Sequence, residues 1–288
     1  MHWQMIGLQS IYAITTGIAY VVFALGLTLI LGVMGIINVA HGELYMLGAM
    51  LQLTGIYYFG MPYLLATILA IALVCLLGFI CSKMAVEPLL GSRNPLLATL
   101  LSTLAISMSL MYGSVLVWGS QTIPADLPFT GSFQLGPFAV PAGRVILSVV
   151  GLTAILILYL FVEKSQLGKV VRATAQNKLA ARLMGINLKK VYGLSFTIAA
   201  GLAALAGVLV TPIWTSNAFM GQTMILKGFV VVIVAGLGNI RGTILVGLLL
   251  SLVETFFGYF VSIYYREVIA YVIMIVALLL RPRGLFYR

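Results

Sequence analysis

Charge is what this sequence has least of. Only 8% of its 288 residues are Asp, Glu, Lys or Arg, against about 25% in a typical soluble domain, while 62% are hydrophobic. That balance predicts an all-α, polytopic integral membrane bundle. Histidine and cysteine are scarce too, with two of each. His2 and His41 offer no metal cluster, and Cys75 and Cys81, six positions apart in one apolar run, do not face each other on a helix. Both read as buried thiols. No G-x-x-x-x-G-K-[ST] phosphate loop occurs, so no nucleotide is held by that device, and no Ser/His/Asp set stands at membrane depth. With six acids in the whole chain, few are left for a carrier driven by a proton or sodium gradient. The start, MHWQMIGLQS, lacks the positive n-region of a secretory signal. Catalysis by this chain alone is not expected.

What is present is a series of apolar runs near the roughly 20 residues needed to cross hydrocarbon. Ile11–Leu31 is the first. Leu44–Phe59 is short and borrows from the broken stretch before it. Pro62 opens a third run ending near Ser82, and a short loop, Lys83–Asn94, leads to Pro95 and a fourth run to Trp118. Gly119–Gly143 is a loop with four prolines, one acid (Asp126) and no base. Arg144–Val162 and Val191–Ile213 follow. Met224–Gly238 is too short to span unless it begins near Ala218, which puts Lys227 inside the membrane. An eighth run ends near Ser262, and Val268–Leu280 is the ninth. The whole chain, 1–288, is expected to form one transmembrane domain of eight or nine helices.

Between the fifth and sixth runs lies a basic island, EKSQLGKVVRATAQNKLAARLMGINLKK (163–190), with seven of the sixteen Lys and Arg residues and one acid. Placing it in the cytoplasm also places Lys83–Asn94, Arg241 and the C-terminal tail there, thirteen of the sixteen bases in all. The positive-inside rule then gives a cytoplasmic C-terminus and an external N-terminus. A re-entrant half-helix at Gly35–Glu43 would reduce the spans to eight and flip the N-terminus. Within the island, Val171, Ala175, Leu179 and Leu183 recur at spacing four, as one apolar stripe on a helix of about three turns, which Gly185 ends. Such a helix either lies on anionic lipid or docks a cytoplasmic subunit.

Two further stretches carry polar groups toward the membrane. Gly35–Glu43 breaks the apolar pattern with Asn38, His41 and Glu43. It is either a tight cytoplasmic turn, capped by Asn38 and hinged at Gly42, or irregular chain lining a cavity at membrane depth. Glu254, mid-run in LSLVETFF, must pair or face a pathway. Lys227 reads chiefly as a side chain snorkelling outward. Gly228–Gly247 loosely repeats the pattern of Gly26–Gly48, as internal repeats of transporters do. The candidate pathway residues are Asn38, His41, Gly42, Glu43, Tyr45 and Glu254.

Four stretches in order, GLTLILGVMGIINVAHGELYMLGAM, RATAQNKLAARLMGIN, KGFVVVIVAGLGNIRGTILVG and RPRGLF, together resemble the branched-chain amino acid ABC transporter permeases. The resemblance is greatest to the first of the two paired permeases of leucine/isoleucine/valine uptake. It implies an inner-membrane importer subunit that moves branched-chain amino acids by alternating access. It further implies a second permease, two cytoplasmic ATPases carrying the ATP and Mg, and a periplasmic binding protein, with no cofactor in this chain. Asn38, Ala40, His41 and Gly42 match the family's N-x-A-H-G motif. Ala180, Ala181 and Gly185 are similar to the Ala-Ala…Gly pattern presented to the ATPase, although Leu179 stands where a glutamate often precedes it. The coupling set implied is Arg172, Lys178, Ala180, Ala181, Arg182, Gly185 and Ile186. The alternatives are the same importer type for urea, amides or other amino acids, and a self-sufficient carrier or channel.

Overall fold

The computed structural model describes residues 2–124, 131–282 and 284–286; Asp126 and part of the basic tail lie outside them. Apolar runs become helices because lipid leaves backbone polar groups no partner outside the chain. In order these are α1 (His2–Met34), α2 (His41–Tyr57), α3 (Tyr63–Cys81), α4 (Pro95–Trp118) and α5 (Ala142–Lys164). After them come α6 (Gln166–Gln176), α7 (Lys178–Leu183), α8 (Leu188–Val210), α9 (Met220–Ala235), α10 (Ile240–Phe260) and α11 (Arg266–Leu280). Among the described residues six helices are long and apolar enough to cross a membrane: α1, α3, α4, α5, α8 and α10. α2, α9 and α11 are shorter, at 17, 16 and 15 residues.

Alternation along the chain sorts the connections onto two faces. One carries α6, α7, the α9–α10 turn and the C-terminal tail, where the Leu285 amide bonds to Val234 and the Asn239 amide to Phe286. The positive-inside count makes this the cytoplasmic face. The other carries an antiparallel hairpin, β1 (Ser132–Leu135) and β2 (Phe138–Pro141), and a bridge between Ile123 and Ser216. The hairpin lies within the segment 119–143 expected as a loop, so that connection carries regular structure. Lys83–Asn94 is also not a plain loop: α3 runs on through a π turn at Ser82–Val86 and a 3-10 turn at Glu87–Gly91, closed by Lys83 on Glu87 at 2.8 Å.

Burial separates inner helices from outer ones. In the most apolar stretch of each helix, 89% of residues are buried in α1 and 72% in α8, against 22% in α3, α4 and α5. The outer helices turn Leu, Ile and Phe side chains outward, as contact with lipid or a second subunit requires. The inner packing depends on glycine at close backbone approaches. A Cβ on Gly207 would stand 2.1 Å from the Tyr45 carbonyl oxygen, and one on Gly42 2.4 Å from the Gly221 carbonyl oxygen. Helix starts on the cytoplasmic face are capped in the usual way: Asn94, Ser165, Asn177, Asn187 and Asn239 each accept a backbone N–H.

Candidate translocation and coupling sites

The broken segment is not a cytoplasmic turn. α1 reaches the cytoplasmic face at Met34, and Gly35, at φ +68°, reverses the chain there. Residues 36–39 then run back into the bundle outside any helix, and the Ala40 carbonyl accepts the first α2 bonds from Glu43 N and Leu44 N. His41, the first residue of α2, donates from Nε2 to the Phe23 carbonyl at 3.2 Å. Phe23 lies eleven residues before Met34, roughly 16 Å along the α1 axis, so α2 starts deep in the membrane. Irregular backbone at that depth must find partners, and the buried Thr103 hydroxyl supplies two, bonding Ile37 O and Val39 N, each at 3.3 Å. The second span thus borrows from the broken stretch, as expected. Asn38 does not cap α2; the cap position is Ala40, with no side-chain bond.

Asn38, His41, Gly42, Glu43 and Tyr45 are all buried. Among the described residues, neither Asn38 amide atom nor His41 Nδ1 has a hydrogen-bond partner. Glu43 Oε1 accepts from the Ser107 hydroxyl at 3.2 Å. Its Oε2 lies 3.0 Å from where a Gly221 Cβ would stand, in the first turn of α9. The chain between α8 and α9 mirrors the first break: residues 211–219 dip inward from the external face, and α9 begins without a side-chain cap. The two half-helix starts cross at Gly42 and Gly221.

Glu254 belongs to a second polar cluster, and here an expectation is corrected. Lys227 does not snorkel outward. Its ammonium is turned into the bundle, 3.0 Å from the Tyr20 hydroxyl, 3.4 Å from Glu254 Oε2 and 3.6 Å from Glu267 Oε1. Tyr20 donates to Glu254 Oε2 at 2.9 Å, and Arg266 Nε is 3.8 Å from it. Tyr45, Lys227, Arg266 and Glu267 line a cavity of about 540 Å³ on the external side. Of the predicted pathway residues only Tyr45 lines it, while Glu254 stands behind Lys227. The signal that could have identified Lys227 was the length argument that put it inside the span.

In the cytoplasmic island the predicted stripe is split. Asn177 ends α6 and caps α7, so Val171 is buried while Ala175, Leu179 and Leu183 are exposed. Arg172 and Lys178 turn toward the membrane bundle. Arg172 donates to the Val162 carbonyl at the end of α5 and lies 3.8 Å from Glu163, which also holds Arg241 at 3.3 Å. Lys178 donates to the Met34 carbonyl, at the negative end of the α1 dipole; burial lowers its pKa from the ordinary lysine value. Ala180 and Arg182 are exposed and Ala181 is buried. Gly185, at φ +83°, ends α7 in a Schellman motif, with Gly185 N on Arg182 O and Ile186 N on Ala181 O. The outer face of α7 leaves Leu179, Leu183 and Met184 68%, 79% and 83% exposed.

Residues 10–278 match the family model described as the permease component of branched-chain amino acid transport systems. The chain is 30% identical to the high-affinity branched-chain amino acid transport system permease protein LivH of Salmonella typhimurium, over 97% of this chain and 95% of that one. It is 31% identical to the corresponding protein BraD of Pseudomonas aeruginosa, with the same coverage of both chains. Among solved structures, PsaBC from Streptococcus pneumoniae in complex with Fab shares the fold at a TM-score of 0.52 and 13% identity, over 94% of this chain and 91% of that one.

Proposed function

Because the chain belongs to the permease components of branched-chain amino acid transport systems, we propose that it imports leucine, isoleucine and valine across the cytoplasmic (inner) membrane. It works by alternating access, paired with a second permease. Two ATPases below it hydrolyse ATP with Mg, and a periplasmic binding protein delivers the substrate.

The observation that carries the coupling role is the two-sided build of α7. Its outer face leaves Leu179, Leu183 and Met184 in water beside Arg182, a patch suited to an apolar groove with acidic edges on a cytoplasmic partner. Its inner side is tied through Lys178 to the end of α1, one residue before the chain turns toward α2. Motion of α7 therefore acts on the segment 35–40 and on the start of α2, where Asn38, His41, Gly42 and Glu43 lie. The unpaired Asn38 amide and His41 Nδ1 fit groups that meet water or solute in another conformation.

The test is uptake by the assembled complex. Arg182→Glu removes only an exposed charge. Gly185→Pro forces a residue fixed near φ −65° into a position at φ +83°. Both are expected to abolish ATP-driven uptake while the permease still reaches the membrane. Unchanged uptake in an assembled complex would remove α7 from the coupling path.

A further inference from the structure

Resting on the reading above, we propose that the external cavity is a binding site within the permease itself for a zwitterionic α-amino acid with an apolar side chain. The ligand inserts between Lys227 and Glu267. Its carboxylate is taken by Lys227 and Arg266, its ammonium by Glu267.

Three observations meet here. The first is the charge of the cluster. Lys227 and Arg266 are matched by Glu254 and Glu267, so the site is neutral as it stands. A zwitterion enters without changing that sum. A ligand of single charge leaves an unbalanced charge beside buried groups, which is costly in a low-dielectric setting.

The second is the looseness of one contact. Lys227 is held by Tyr20 and Glu254 at hydrogen-bond distance, but Glu267 stands at 3.6 Å with its side chain 54% exposed. Tyr20 and Glu254 fix the ammonium from behind. Glu267 sits on the cavity side, free to swing onto a ligand ammonium and release one Lys227 donor to the carboxylate. Arg266 Nε lies 3.8 Å from Glu254 Oε2, beyond hydrogen-bond distance, has no hydrogen-bond partner among the described residues, and is a second donor.

The third is the wall. α9 begins at the cavity wall, with Met220 in its lining. Met220, Met224, Trp214 and Ile263 line the same space and offer an apolar surface to an aliphatic side chain. The cavity volume, about 540 Å³, lies in the usual range for small-ligand sites.

The experiment uses the assembled importer in lipid nanodiscs without its binding protein. Cys75 and Cys81 are replaced by Ala, and Thr223, which lines the cavity, becomes the single cysteine of this chain (Thr223→Cys). A water-soluble maleimide labels it, and the subunits are separated by gel. Leucine is expected to slow labelling saturably. Isocaproate, which lacks the ammonium, and isopentylamine, which lacks the carboxylate, are expected to leave it unchanged. Lys227 substitutions risk the fold, so the deciding variant is the exposed Glu267→Gln, expected to raise the leucine concentration for half-protection about tenfold. The site is refuted if leucine does not protect, if either analogue protects as well as leucine, or if Glu267→Gln changes nothing. ATP-driven leucine uptake by the full system separates the two claims. Uptake without protection overturns the site and leaves the import role standing; absence of leucine uptake overturns both.

Discussion

The chain crosses the membrane twice in interrupted form, and the two interruptions are furnished differently. At 35–40 and the start of α2, polar groups are enclosed and partly unpaired, and among the described residues Glu43 has only the Ser107 hydroxyl as side-chain partner. At 211–219 and α9, Lys227 is balanced by Glu254 and Glu267 beside an open cavity. Both helix starts lack the side-chain caps found wherever a helix leaves the cytoplasmic face. The first interruption is tied to the cytoplasmic helices through Lys178 and Met34; the second opens outward. On the proposed reading, the first is built to be moved and the second to receive.

The two interruptions should differ most when the balancing charge is removed. Glu254→Leu leaves Lys227 buried with Glu267, at 3.6 Å, as its charge partner, and losing one member of a buried pair costs about 3–5 kcal/mol. Thermal unfolding in detergent should show a large loss, and Lys227→Met combined with Glu254→Leu should recover most of it. Gly42→Ala attacks the crossing of the two half-helices. The added methyl meets the Gly221 carbonyl, and overpacking of this kind costs about 1–3 kcal/mol, read by the same melting assay together with reduced uptake. Glu43→Gln, by contrast, breaks no ion pair and keeps an acceptor for Ser107, so the stability change should stay within about 1 kcal/mol. A loss as large as that of Glu254→Leu would mean that the two interruptions are not different in kind. Smallest is Lys178→Met, expected to cost about 0.5 kcal/mol of stability yet to lower uptake relative to ATP hydrolysis. Equal losses in both rates would remove the tie to α1 from the coupling path.

The long apolar runs were legible because membrane helices announce themselves by length. Pro95–Trp118 has the ends the sequence suggested, and Lys227 fell inside a span on length alone. The cytoplasmic island was legible as charge but not as shape. Spacing four joined Val171 to Leu183 in one stripe, whereas Asn177, a capping residue in mid-pattern, divides the helix and turns the two halves apart. The direction of Lys227 was not legible either. A lysine near a span end faces lipid headgroups or protein according to what lies opposite, and its partners Tyr20, Glu254 and Glu267 are distant in sequence. The same holds for Lys178, whose partner is a backbone carbonyl 144 positions away. Asn38 illustrates the opposite failure: its residue type suits a cap, but its place deep in the bundle gives it no helix end to cap.

The most direct measurement compares leucine flux into proteoliposomes holding this chain alone with flux into those holding the assembled complex with ATPases and binding protein. No flux is expected from the chain alone under a leucine, proton or sodium gradient, and uptake from the complex is expected only when ATP is supplied. Gradient-driven leucine flux through the chain alone would contradict it.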